Sequence, residues 1–188
     1  MEYEIRQLES VDYESLKCRN TVDYENTFQY FFDKTIAYTG GAASLYDVGY
    51  SMELSWYTDE FGKHRNDTAF AAIYDDKMVG LAWARADFGF SSDPEERSMK
   101  TPEIKIAVRA EYQGMNIGTN LLIKLLYSLG KQNFSEAEIF VAKNDPSLIF
   151  FLKLGFSIIS EDDGQYPKYY LIYNGDMLTD KTSSADTE

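Results

Sequence analysis

In "EYEIRQLE", Tyr3 and Ile5, with Leu8 beyond them, stand among charged and polar residues, and this alternation predicts a first strand. Ser10 before "VDYESLKCRN" predicts a capped helix. From about residue 20 to 66 the pattern is poorer. Aromatics crowd "DYENTFQYFF" and "YDVGYSMELSWY", Gly40 and Gly41 interrupt them, and two or three helical pieces joined by loops are expected.

The clearest hairpin is "TAFAAIYDDKMVGLAWARADF", two apolar, β-rich runs around the polar turn Asp75-Asp76-Lys77. A polar loop, "FSSDPEERSMKTP", precedes the strand "EIKIAV". In the next segment Ile117, Leu121, Leu122, Leu125, Leu126 and Leu129 fall at the spacing of one buried helix face, and Gly130 is placed to stop the helix. "EAEIFVAK" predicts another strand. In "NDPSLIFFLKLG", Asp145 suits an N-cap, Pro146 the first helical position and Gly155 the position past the end. "FSIISE" and "KYYLIYN" predict a closing strand pair around "DDGQYP". Residues 176–188 form a polar segment expected to be disordered, which leaves one domain over residues 1–175.

Composition fits that single domain: 188 residues, 44% hydrophobic and 15% aromatic, suffice for a sizeable core. A formal net charge of −13, spread along the whole chain, argues against nucleic acid and anionic membranes as partners and suits a cationic one. The one cysteine, Cys18, forms no internal disulfide, and no Cys/His spacing suits zinc. A reducing cytoplasm and no metal are expected. The charged N-terminus does not resemble a signal peptide, and no segment approaches the roughly 18 apolar residues of a membrane span.

The chemistry concentrates in "VRAEYQGMNIGTNLL", residues 108–122. Gly114 and Gly118 flank a short turn that runs straight into the amphipathic helix. Successive backbone N–H groups pointing into one concavity at a helix N-terminus bind phosphate through those donors and the helix dipole. Neither a P-loop nor a dinucleotide-binding glycine pattern fits, which argues against a kinase or dehydrogenase.

These residues resemble the acyl-coenzyme A signature of the GCN5-related N-acetyltransferases, Gln/Arg-x-x-Gly-x-Gly/Ala after a strand with an apolar end: here Val108, Gln113, Asn116 and Gly118. A second landmark is an Asn after the next strand and a helix ending Phe/Leu-Tyr-x-Lys-x-Gly-Phe; here Asn144, Phe150, Phe151, Lys153, Gly155 and Phe156 hold those positions. The predicted order of elements across about residues 3 to 174 is also the family's.

The resemblance implies an α/β fold with a mixed, mostly antiparallel, splayed sheet of six or seven strands flanked by helices. It implies acetyl-CoA as cosubstrate and direct transfer of its acetyl group to an amine, with no metal. The pyrophosphate would meet N–H groups from Gln113 through Gly114, Met115, Asn116 and Ile117 to Gly118, with Thr119 adjoining. The pantetheine arm would pair with the strand edge at Ile106, Ala107 and Val108, bond Asn144 and pass Phe151. A backbone N–H near Val108 would hold the oxyanion. The acceptor would be a small-molecule amine or a protein amine, and dimers are frequent among proteins of this kind.

Two departures stand out. Asn116 replaces a glycine, yet asparagine is among the best non-glycine residues at positive φ, so the cradle is expected to survive. Phe151 stands where the family commonly has a tyrosine that protonates the leaving thiolate, and phenylalanine has no proton to give. A thiol pKa of about 8.5 still permits unassisted departure, and Tyr166, Tyr169 and Tyr170 are candidate hydroxyls.

For the base, counting back from Gln113 puts the family's common carboxylate position at Pro102. Glu103 follows one residue later, on the opposite face of an ideal strand, unless a bulge turns it. Glu103 is the candidate catalytic residue, with a solvated strand-end charge as the alternative. His64, in a polar loop, is expected to be solvated. Tyr24, Phe28, Tyr30, Phe31 and Phe32 form either core or the wall of an acceptor pocket. The rival function is an acyl-CoA binding module that has lost its acid and base.

Overall fold

The computed structural model describes residues 2–9, 12, 30–31, 61–62, 66–86, 101–164 and 167–178. Of the helices expected between residues 11 and 60, only Asp12, Tyr30 and Phe31 are described, all helical; Cys18, Tyr24, Phe28 and Phe32 lie outside the described residues. So do His64, Tyr166, residues 87–100 and the last ten residues.

Seven strands form one sheet: β1 (Glu4–Gln7), β2 (Thr68–Tyr74), β3 (Lys77–Arg85), β4 (Glu103–Val108), β5 (Ala137–Ala142), β6 (Ser157–Asp162) and β7 (Lys168–Tyr173), in spatial order β1-β2-β3-β4-β5-β7-β6. Only β4 and β5 are parallel. Between them runs helix α1 (Ile117–Lys131), and α2 (Leu148–Lys153) follows β5. Among the described residues the sheet is thus mixed, mostly antiparallel and seven-stranded, as the resemblance implied.

The β2–β3 turn has Asp75 at φ 51 and Asp76 at φ 58. Two consecutive left-handed residues make the tight turn whose twist suits a hairpin, and aspartate tolerates that region.

The core has two sides. On one, Ile117, Leu121, Leu122, Leu125, Leu126 and Leu129 of α1 pack on Ala82, Ala84, Ile104 and Ile139, and α2 adds Phe151. Each of these α1 side chains is at most 1% exposed, and burying one contributes about 1.5–3 kcal/mol. A side chain at Gly80 would come within 3.0 Å of Leu121 and 3.2 Å of Ile117, so the bare backbone of β3 lets α1 sit close. On the other side Leu81 and Trp83 pack with Leu8, Phe31 and Phe61.

Gly130 does not end α1, which continues to Lys131 before Asn133 turns left-handed at φ 67. Its absent side chain has another use. A Cβ there would lie 2.8 Å from the Leu178 carbonyl oxygen, so Gly130 is where the 3-10 turn Asp176–Leu178 packs on the helix. Leu178 is buried, and folded structure therefore reaches past residue 175. Hydrogen bonding starts α2 at Leu148. The cap position is therefore Ser147 and not Asp145, whose carboxylate accepts from the Ser147 N–H at 2.8 Å in the turn before the helix, and Gly155 leaves the helix at φ 95.

Candidate active site in an open strand edge

β4 is held unequally by its neighbours. Toward β3 it pairs in six register steps, from Arg85↔Glu103 to Gly80↔Val108, without a shift. Toward β5 it pairs once, at Glu103↔Glu138, where the Glu138 N–H donates to the Pro102 carbonyl at 2.9 Å. From Ile104 onward the two parallel strands part.

The parity of β4 decides what lines this gap. The Arg109 N–H donates to Val79 on the β3 side at 2.9 Å, whereas the Pro102 carbonyl faces β5. Backbone polar groups alternate in direction along a strand, so those of Ile104, Ile106 and Val108 face β5; the Ile104 N–H serves the one pairing step, and Ile106 and Val108 face the gap.

At the C-terminal end of the gap lies the turn quoted above. A 3-10 turn, Ala110–Tyr112, leads into it. Gly114 has φ 76 and Asn116 has φ 61, ψ 8, so asparagine does adopt the left-handed conformation the position requires. The Gln113 N–H is used locally, donating to Ala110 at 3.2 Å, and the run of available donors begins one residue later than the resemblance implied. No described residue accepts from the N–H groups of Gly114 to Thr119. Gln113 contributes through its side chain instead, whose amide donates to the Val108 carbonyl at 3.1 Å.

These donors suit a phosphate group, and the open edge beside them suits an amide-bearing arm. Counting in parallel from Glu103↔Glu138 sets Lys143 level with Val108 and Asn144 level with Arg109, so exposed Asn144 stands across the gap from the end of β4. Lys143 anchors that bank. It donates to Asp163 and Glu161 at 2.6 and 2.5 Å, and these hydrogen bonds, that to Asp163 first, hold its ammonium well above the usual lysine range.

Glu103 stands at the other end, five residues or about 16 Å from Val108. No bulge interrupts β4 where it pairs with β3. Glu103 shares a face with Lys105, Ala107 and Trp83, the face covered by Phe31 and Phe61 of the N-terminal region. Glu103 is 8% exposed, and its carboxylate is 2.5 Å from the Lys105 ammonium. Its cross-strand neighbour Arg85 forms a two-pronged pair with Asp67, 2.9 Å for each contact, beneath Phe61.

Phe151 is 3% exposed and packs edge-to-face on Phe150 and Phe156, at 5.0 and 5.6 Å between ring centroids. It belongs to the core beneath α1. Of the candidate hydroxyls, Tyr169 packs on the α1 side. Tyr170 pairs across β7–β5 with Phe140, 4.8 Å between centroids, and Phe140 lies 5.5 Å from the Lys105 ammonium, on Glu103's side.

The model of the acetyltransferase (GNAT) family matches residues 7–156, most of the chain. The chain belongs to this family. A curated relative, an N-alpha-acetyltransferase of Saccharolobus solfataricus, is 31% identical over 102 residues, covering 52% of this chain and 60% of the relative. The chain thus spans under two thirds of that relative's length. Two solved structures share the fold. PaiA N-acetyltransferase from Thermoplasma acidophilum, in complex with coenzyme A, has TM-score 0.63 and 18% identity, covering 93% of this chain and 100% of that one. YncA from Salmonella typhimurium, with acetyl-CoA, has TM-score 0.63 and 15% identity, with both chains covered completely.

Within this GNAT fold the residues named from sequence separate into two ends of one gap. Ile106, Ala107, Val108 and the residues from Gln113 to Thr119 gather at the cradle end with Asn144 opposite, and Glu103 stands at the far end. Sequence reasoning missed Lys105, Phe140 and the Arg85–Asp67 pair. Lys105 was visible in "EIKIAV", where Glu and Lys alternate with isoleucines and so share a face. Nothing local marked Asp67 as Arg85's partner. Among the described residues no cluster of His, Cys, Asp or Glu is arranged to hold a metal, and no helix is long and apolar enough to cross a membrane.

Proposed function

We propose that the protein is an N-acetyltransferase with acetyl-CoA as acyl donor and a primary amine as acceptor. The observation that carries this reading is the β4 edge left unpaired beyond the single Glu103↔Glu138 step, at Ile106 and Val108, leading into six consecutive N–H donors with no acceptor among the described residues. The solved GNAT relatives with coenzyme A or acetyl-CoA support the donor. The relative's activity supports an α-amine of a polypeptide as acceptor, and the net charge of −13 favours a cationic one. The single cysteine supports a reducing, cytoplasmic setting.

Bound acetyl-CoA supplies an acetyl group activated as a thioester. The N–H groups of Gly114 to Thr119 and the N-terminus of α1 hold its phosphates, while Ile106 and Val108 offer backbone hydrogen bonds to its arm. Glu103 takes the proton from the acceptor amine. The N–H of Ile106, closer to Glu103 than that of Val108, donates to the acyl oxygen as negative charge grows there. With Phe151 in the core, Tyr170 on Glu103's face is the better placed hydroxyl for the leaving thiolate.

Calorimetric titration with acetyl-CoA, followed by thiol release with short peptides and polyamines, tests the reading. Micromolar binding with saturable release for any amine supports it. No binding up to millimolar ligand overturns it, and binding with no release across the panel leaves only a cradle.

A further inference from the structure

Lys105 reaches from β4 toward β5. Its backbone belongs to β4, between Ile104 and Ile106, yet its ammonium lies 5.5 Å from the ring centroid of Phe140 on β5. The strands are already apart at this level, since their single pairing step is Glu103↔Glu138. A group lying extended along the β4 edge toward Glu103 therefore passes this amine.

The amine also has a base in contact. Its Nζ is 2.5 Å from Glu103 Oε1, and the two side chains are only 13% and 9% exposed. A primary amine, a carboxylate able to take its proton, and an open strand edge for the donor thus meet at one place. We propose that Lys105 is itself an acyl acceptor, acetylated on Nζ by the thioester bound along β4; this rests on the acetyl-CoA reading above.

In this step Glu103 takes a proton from Nζ, the nitrogen lone pair forms a C–N bond to the acetyl carbon, and the C–S bond breaks. The nitrogen gives up two protons in all. One ends on the departing sulfur and one passes through Glu103 to solvent, so the products are acetyl-Lys105 and coenzyme A thiol. The amide is neutral, and the ion pair with Glu103 is lost with the charge. Self-acetylation would thereby remove the positive charge beside Glu103. Lys168 also approaches these rings, 5.6 Å from Phe140 and 5.4 Å from Tyr170, but it stands on β7, one strand farther from the gap.

The test incubates the full chain with acetyl-CoA and no added amine, then combines intact mass, peptide mapping and thiol release, with calorimetric titration alongside. The expected result is one acetyl group on the peptide carrying Lys105, with one equivalent of thiol. Lys105→Arg should abolish it, and Glu103→Gln should slow it by about a hundredfold, the scale of general-base catalysis. Acetyl-CoA bound while Lys105 stays unmodified overturns this proposal alone. So does label on Lys168 or spread over many lysines, or equal labelling of Glu103→Gln, which marks plain chemical acylation. Absence of binding overturns the donor reading and this step together.

Discussion

The side-chain amide of Gln113 donates to the carbonyl of Val108 at 3.1 Å, tying the last residue of β4 to the turn that presents the N–H donors. The bond closes a loop of six residues, so the edge and the cradle hold a fixed relation before any ligand arrives. Gln113→Ala removes it. A neutral hydrogen bond is worth about 1 kcal/mol, so acetyl-CoA affinity should fall by about fivefold in a calorimetric titration, with little change in melting temperature. Unaltered affinity would mean that the turn holds its shape without Gln113.

Asn116 sits at φ 61 and leaves the donors of Gly114 to Thr119 available. Asn116→Gly should keep acetyl-CoA affinity within about twofold, because glycine adopts the same backbone without strain. Asn116→Val places a β-branched residue in the left-handed region at a cost of about 1–2 kcal/mol. It should lower both melting temperature and affinity. A large gain in affinity for the glycine variant would instead identify the asparagine side chain as an obstruction.

The legible parts of this fold are those whose cause is local. The leucine spacing of α1, the Asp75-Asp76 turn and the left-handed Gly155 each follow from residues within one element. The gap is not local. Parting β4 from β5 changes no hydrophobic period, because Ile104 and Ile106 pack on the α1 side whether or not a strand lies beside them. For the same reason Gly130 reads as a helix stop in sequence but serves a contact with Leu178 from the far end of the described chain. The signature residues located the site through resemblance. The pairing of Arg85 with Asp67, 18 residues apart, needed the tertiary fold as well.

Arg85 and Asp67 make a buried two-pronged pair, with side chains 3% and 0% exposed, and Asp67 also accepts from the Gly62 N–H at 2.6 Å. Removing one partner of a buried pair costs about 3–5 kcal/mol. Asp67→Ala should therefore lower thermal stability strongly, by about 6 °C or more for a chain of this size. Replacing both residues with apolar ones should recover part of the loss. An Asp67→Ala variant as stable as the parent would show that other groups satisfy Arg85.

An exposed glycine inside a helix ordinarily costs about 1 kcal/mol relative to alanine, so Gly→Ala usually stabilises. Gly130→Ala should do the reverse. The new methyl would meet the Leu178 backbone at 2.8–2.9 Å, and overpacking of this kind costs about 1–3 kcal/mol. Thermal denaturation should give a lower midpoint than the parent chain. A higher midpoint would mean that the Asp176–Leu178 turn moves away at little cost.

Glu103 lies about 16 Å along β4 from the cradle end, and its carboxylate touches Lys105 and not the N–H donors. Glu103→Gln keeps the shape of the side chain and removes its capacity to take a proton. Turnover with an amine acceptor should fall by about a hundredfold, while acetyl-CoA affinity stays within about twofold, because phosphate binding occurs at the other end of the gap. Part of any loss could come from freeing Lys105, so Lys105→Met serves as the control: it removes the same ion pair and leaves the carboxylate. A fall in Glu103→Gln that Lys105→Met does not reproduce assigns the proton transfer to Glu103. Equal falls assign it to the pair, and unchanged turnover of Glu103→Gln at every pH removes Glu103 from the chemistry.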